Sequence, residues 1–169
     1  AAAIERAMLT ERVRQAERLK QLNDLLGTLN RLTDERQIIE AALRGVQKVL
    51  PFAEVSICLY RPADETFSGC AATQGRRLSQ LHQRWRHRPI SAHRTPFLPC
   101  LKERRPVRVD DLVAPQTPLE RWLWRKGFRS FVGTPIVLDG ILLGLLFVAA
   151  DKPSAFSDDD QAFLNAVAE

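Results

Sequence analysis

The stretch from Gly127 to Glu169, GFRSFVGTPIVLDGILLGLLFVAADKPSAFSDDDQAFLNAVAE, limits the fold more than any other part of the chain. Ile141 to Ala150 is a run of ten residues that are all apolar or Gly. A helix needs roughly 20 such residues to cross a bilayer, so the run does not span one. It suits a central strand buried on both faces, although a buried helix has a similar pattern. Asp139-Gly140 between two apolar runs predicts a hairpin, because Gly readily adopts the positive φ of a tight turn. Pro135 has no N–H to give to a ladder, so its strand is an edge there or carries a bulge. Ser157 with Asp160 three residues on predicts a capped helix start. Asp158 to Asp160 then place negative charge at the positive end of that helix. Phe163, Leu164 and Val167 supply its apolar stripe.

The N-terminal third reads as two helices. Residues 1 to about 32 hold no Pro and one Gly, and are rich in Ala, Glu, Arg, Gln and Leu. Leu9, Val13 and Ala16 make one apolar stripe. Leu19, Leu22, Leu26 and Leu29 make a second with coiled-coil spacing, offset from the first near residues 17 to 19. The expectation is a parallel dimer stalk running into the domain; the competing reading packs its later part on its own domain. Asp34 with Gln37 predicts a second capped start. Ile38, Ile39, Ala42, Leu43, Val46, Val49 and Leu50 then form a core-facing stripe ended by Pro51.

Glu54 to Tyr60 alternates, with Val55, Ile57 and Leu59 on one side and Ser56, Cys58 and Tyr60 on the other, as in a strand. Arg61 to Asp64 predicts a turn, and Thr66 to Thr73 the partner strand. Arg76 to Arg88 reads as a short basic helix containing Trp85. Thr95-Pro96 predicts a helix from Pro96 to about Arg105, followed by a short strand at Val107 to Val109. Thr117-Pro118-Leu119-Glu120 is a firm helix start, with Leu119, Trp122 and Leu123 as its buried face and Gly127 as its stop. The order implies an α+β fold of the α/β/α sandwich type. A central antiparallel sheet of about five to six strands carries the terminal helices on one face and a mixed crossover on the other.

Charge and cysteine usage bound the function. The net charge is +5, but the excess is local: ten Arg or Lys and one acid, Glu103, stand between Arg76 and Arg108. A solvated surface or an intramolecular docking loop is the expectation there, ahead of an anion-binding rim, with nucleic acid last. Three cysteines, Cys58, Cys70 and Cys100, are an odd number at wide spacing. That argues against a disulfide framework and for a reducing cytoplasm. No 18-residue apolar run and no signal-peptide segment is present, so neither a membrane anchor nor export is expected. The chain carries no Gly-rich phosphate loop, no Cys-x-x-Cys and no paired His at i, i+4, so no catalytic residue and no metal site is assigned.

From about Leu22 to Glu169 the chain resembles a GAF domain. The similarity lies in Gly127 to Leu146, in Ala155-Phe156-Ser157 before the acidic helix start, in the Ile38 to Leu50 helix running into Val55 to Tyr60, and in Arg104-Arg105-Pro106-Val107 before Asp110-Asp111-Leu112. The resemblance implies a central antiparallel sheet with a small ligand held under the crossover. It also implies a homodimer through terminal helices and a relay to an attached output domain. In bacteria that output is a histidine kinase, a cyclic-di-nucleotide enzyme or a transcription activator. Residues 1–32 are then a signalling helix and 33–169 the GAF domain, cut from a longer cytoplasmic protein.

Subfamily chemistry is not expected. Bilin-binding relatives attach pigment to a Cys followed by His, whereas Cys100 is followed by Leu101. The Asn-Lys pair of cyclic-nucleotide binders is absent. Free methionine sulfoxide reductases of this fold use crossover cysteines, and Cys100 alone does not rebuild a resolving pair. For haem, His82, His87 and His93 fall in the crossover, but the first two sit among arginines. No cofactor is required. The generic pocket candidates are Trp85, His93, Phe97 and Cys100 as wall, Cys58 and Tyr60 as floor, Phe131 as side, and Arg94 as a carboxylate or phosphate partner. The expected function is a regulatory small-ligand sensor and not an enzyme. The alternative is a structural dimerisation module with an empty pocket.

Overall fold

The computed structural model describes residues 1–74, 77–79 and 89–169. Its sheet grows outward from the hairpin that the sequence marks most strongly. β6 (Ser130–Leu138) and β7 (Ile141–Ala150) pair around Asp139-Gly140. Both turn residues have positive φ, 50° and 79°, as a two-residue hairpin turn demands. A second hairpin joins β1 (Glu54–Arg61) to β2 (Thr66–Gln74), and β1 adds antiparallel to β7. β3 (Arg77–Ser79) and β5 (Val107–Val109) complete the strand order β3-β2-β1-β7-β6-β5, while β4 (Ile90–Ser91) pairs with β2 off this path. The fold is α+β with an antiparallel sheet, and its six-strand main path lies within the expected number.

Pro135 sits where both of its options are used. β5 reaches β6 only at residues 131–133, so β6 is an edge at Pro135, and its register with β7 shifts at Ile136/Val137. The expectation that Ile141 to Ala150 is buried throughout is corrected. Burial starts at Gly144, and Ile141 and Leu143 remain exposed. The reason is geometric: the pairing of β1 with β7 ends at Leu59 and Gly144, so the hairpin tip projects past its neighbour. Gly144 itself has no room for a side chain, since a Cβ there would lie 2.3 Å from the Cys58 carbonyl oxygen.

Helices cover one face. α1 (Ala2–Leu29), α2 (Glu35–Val49) and α5 (Asp158–Ala168) share a core with Val55 and Ile57 of β1, Val132 of β6, and Leu146 and Val148 of β7. Asp34 caps α2 by accepting from the Arg36 N–H at 2.9 Å. Ser157 and Asp160 form the reciprocal capping box of α5. The leucine stripe expected for a dimer is divided. Leu22 and Leu29 pack on the domain's own core, as does the buried Leu25, while Leu19 is 58 % exposed and Leu26 half-buried. Gly45 of α2 admits this docking, because a Cβ there would lie 2.4 Å from Cδ1 of Leu25. Every residue of α1 before Arg18 is exposed.

The opposite face is covered by the crossover: a 3-10 turn at Ala92–Arg94, α3 (Leu98–Glu103), β5 and α4 (Pro118–Arg125). α3 is shorter than the expected Pro96 to Arg105. The Thr95 hydroxyl accepts from the Phe97 N–H at 3.2 Å and donates to the Ala92 carbonyl, so it closes the preceding turn instead of capping the helix. Arg104 ends α3 in the left-handed region at φ 53°. α4 starts with the expected capping box at Thr117 and Glu120, and Gly127 follows its end with φ 91°. Its buried face is Leu123 with the half-buried Leu119. Trp122, expected there, is 45 % exposed with the Lys126 ammonium 5.9 Å from its ring centroid. The short helix turns Trp122 outward because Glu120 is drawn inward to satisfy the Gln116 and Thr117 N–H groups.

Candidate functional site

The crossover face is built from alternate residues of four strands. β1 offers Cys58 and Tyr60, β2 Phe67 and Cys70, β6 Phe131, and β7 Leu145, Phe147 and Ala149. Above them lie Ala92, Phe97, Cys100 and Leu101 of the crossover and Leu123 of α4. Of the candidate pocket residues, Cys58, Tyr60, Phe97, Cys100 and Phe131 are thus brought to one face. Trp85 lies outside the described residues, as do His82 and His87.

On the β6–β7 side this face is closed by packing. Phe97, Phe131 and Phe147 meet edge to face, with centroid separations of 5.7, 5.1 and 5.9 Å. The Phe97 ring lies over Gly133, where a Cβ would come within 2.6 Å of it. The Cys100 thiol donates weakly to the Gly133 carbonyl at 3.7 Å. Burial pushes that thiol up to about 12, with a backbone hydrogen bond from Val107 acting the other way. Such a thiol is a poor nucleophile at neutral pH.

The β1–β2 side is different in chemistry. Cys58 and Cys70 stand directly opposite each other with sulfurs 2.8 Å apart, and Tyr60 meets Phe67 at 5.7 Å between centroids. The Cys58 thiol is held well above its usual range, first by the hydrogen bond with Cys70 and then by burial. Beside them lies a polar rim. The Glu65 carboxylate contacts the His93 ring and accepts an ion pair from Lys102 at 3.1 Å. Lys102 first, then His93, lowers the Glu65 carboxyl. The Glu65 carbonyl accepts from the Ala92 N–H at 2.8 Å, fastening the crossover to the β1–β2 turn. Tyr60 is held above its usual range, chiefly by desolvation and then by Glu65.

His93 is therefore an exposed residue of the rim and not a wall of an apolar cavity, and Arg94, the expected carboxylate or phosphate partner, is exposed next to it in the chain. His93, the best histidine for haem in the sequence, is engaged by a carboxylate at the surface. Glu65, Lys102 and Phe147 belong to this face, and the sequence does not mark them. Glu65 follows a turn, Lys102 hides in the basic run, and Phe147 sits inside a uniform apolar run. None of the three carries a local signal. Among the described residues there is no cluster of three or more His, Cys, Asp or Glu placed to hold a metal ion, and no helix long and apolar enough to cross a membrane.

The basic run is dispersed over several partners. Lys102 pairs with Glu65, Arg105 with Glu103 at 2.6 Å, and Arg108 with Asp158 at 2.7 Å and Asp110 at 3.2 Å. Arg104 donates to the Gly140 carbonyl at 2.5 Å. Arg77 lies on β3 and Arg94 is exposed, while Arg76 and residues 80–88 of the run lie outside the described residues.

Comparison with known proteins matches the family described as GAF domain over residues 33–169. No curated protein sequence matches the chain. Among solved structures, the chain is similar to the GAF domain of a phosphoenolpyruvate-protein phosphotransferase from Coxiella burnetii. The two are 17 % identical with a TM-score of 0.68, covering 89 % of this chain and 88 % of that one. It is also similar to a biliverdin-bound protein in a far-red-absorbing dark state, at 18 % identity and TM-score 0.67, covering 88 % and 93 %. A GAF domain/HD domain protein from Geobacter sulfurreducens gives 23 % identity and TM-score 0.60, covering 82 % and 89 %. At these identities the likeness is one of fold.

Proposed function

Because the chain belongs to the GAF domain family, we propose that it is a regulatory sensor that binds a small molecule under its crossover and relays occupancy through its terminal helices. GAF domains are generally sensory modules and not enzymes. In this reading residues 1–32 are the signalling helix and 33–169 the sensing domain. The protein works as a cytoplasmic homodimer in a bacterium. The attached output is a cyclic-di-nucleotide enzyme, a histidine kinase or a transcription activator.

The observation that supports the relay is the junction of the two terminal helices. Arg18 of α1 pairs with Asp160 at the start of α5 at 2.6 Å, and both helices share the core on the sheet face opposite the crossover. A shift of the sheet strands therefore reaches both helices together. A coupling of about 1–3 kcal/mol between site and helices is enough to change their equilibrium severalfold. The rim of Glu65, His93 and Lys102, with the exposed Arg94 next to His93 in the chain, supplies charges that orient a polar ligand.

The packed Phe97, Phe131 and Phe147 favour a second reading, a structural dimerisation module with no ligand. A thermal melt against a broad metabolite set separates the two. A sensor ligand at a hundredfold its Kd contributes about 2.7 kcal/mol and raises the melting temperature by roughly 5–10 °C. Absence of any shift across nucleotides, amino acids, organic acids and tetrapyrroles would favour the second reading.

A further inference from the structure

We propose that Cys58 and Cys70 are a two-cysteine oxidation site, closing reversibly to a cross-strand disulfide under hydrogen peroxide. The inference is independent of whether the domain binds a small molecule.

Residues facing each other on antiparallel strands have Cα atoms about 4.5–5.5 Å apart, inside the range of about 4.4–6.8 Å that a disulfide spans. Cys58 and Cys70 are such a pair, and both side chains project from the same side of the sheet. Their sulfurs already lie 2.8 Å apart, so closure needs a sub-ångström movement toward the S–S bond length of about 2.05 Å. Both thiols are buried, Cys58 at 6 % exposure and Cys70 at 2 %, which leaves a small oxidant as the one able to reach them. Cys100 packs on the same face but bonds to Gly133 of β6, away from the pair.

The chemistry balances with one peroxide. The sulfur of one thiol attacks a peroxide oxygen and gives up its proton as it does so; the O–O bond breaks, and the departing hydroxide takes up that proton to become water. The resulting sulfenic acid is attacked by the neighbouring sulfur. The S–O bond breaks and a second water leaves with that thiol's proton. Two thiols are oxidised by two electrons, and the peroxide is reduced to two waters. A dithiol reductant reverses the step by thiol–disulfide exchange. The bond ties β1 to β2 next to the Tyr60–Phe67 pair, so oxidation stiffens the β1–β2 side of the crossover face.

The test uses the full chain. Reduced protein is exposed to hydrogen peroxide until Met8, 62 % exposed, is converted to its sulfoxide; this shows that the oxidant has acted. It is then unfolded and alkylated, and its cysteines are mapped by mass spectrometry. Alkylatable thiols are expected to fall from three to one, the one being Cys100, and to return to three after dithiothreitol. The Cys100→Ser variant still closes the link, and Cys58→Ser abolishes it. Three alkylatable thiols after Met8 has oxidised overturn the proposal. So does a disulfide that includes Cys100, or sulfinic acid at Cys58 or Cys70 in place of the link.

Discussion

Asp64 shows how one side chain organises a turn that the sequence only marked as such. Its carboxylate accepts from the Arg61 guanidinium at 2.9 and 2.5 Å and from the Thr66 hydroxyl at 2.7 Å. Arg61 first, then Thr66, lowers this carboxyl to about 2 from an ordinary value of 3.8. A carboxyl lowered in the folded state contributes stability that is fully present above its unfolded value. That contribution is lost as pH falls through the folded one. The Asp64→Asn variant is therefore expected to melt below the wild type at about pH 6. The gap should close between about pH 4 and pH 2, as the wild-type carboxylate takes up its proton. Thermal melts of both proteins across that range check this; a gap that widens toward pH 2 contradicts it. The Cys58–Cys70 pair gives the opposite lesson on legibility. The register next to the turn, Tyr60 with Phe67, would continue to place Gly69 opposite Cys58. A shift between Leu59 and Tyr60 moves the partner to Cys70 and brings its side chain to the crossover face. A one-residue slip reverses facing, and nothing in the residue order announces this one.

Elements were read best where their ends carry chemistry. Thr117 with Glu120 and Ser157 with Asp160 were legible as capping boxes because the satisfied N–H groups are local, three residues apart. α3 was read too long because Thr95 serves the preceding turn, a choice made by the Ala92 carbonyl in the folded chain. Asp160 does more than its local signal says. It caps α5, is 6 % exposed, and also receives Arg18 of α1. Asp160→Ala is expected to cost more stability than Arg18→Ala, since it also removes a cap of about 1 kcal/mol. In a double-mutant cycle the two should couple by about 1 kcal/mol, as residues in one network do. Urea unfolding of the four proteins measures this. Additive losses would show that α1 and α5 are not energetically joined through this pair.

At the scale of the molecule, α1 is two things in one helix. Its first part is exposed, and its second supplies Leu22, Leu25 and Leu29 to the core. A chain starting at Arg18 gives up no side chain buried within its own protomer, so a drop in melting temperature beyond about 2 °C measures the contact between copies. A chain starting at Thr33 loses about 3 kcal/mol of leucine burial and melts about 10 °C lower. Light scattering on the first truncation tests the proposed dimer: the mass should halve if Ile4, Met8, Leu9 and Val13 hold two copies together. The sequence by itself determined β1, β2, β5, β6 and β7, the two hairpins, the caps at Asp34, Thr117 and Ser157, and the division of helices and crossover between two faces of one sheet. It did not give β3 and β4, and Arg77–Ser79 pairs as a strand where residues 76–88 read as a helix. Periodicity, turn residues and capping spacing are local, so residue order is enough to state them. Tertiary structure alone decided which long-range neighbours fill the crossover face. Phe97 settles over Gly133, Glu65 gathers His93 and Lys102, and the two cysteines meet across a shifted register. Such contacts depend on strand pairing and close packing between distant segments, and these are fixed only when the whole chain has folded.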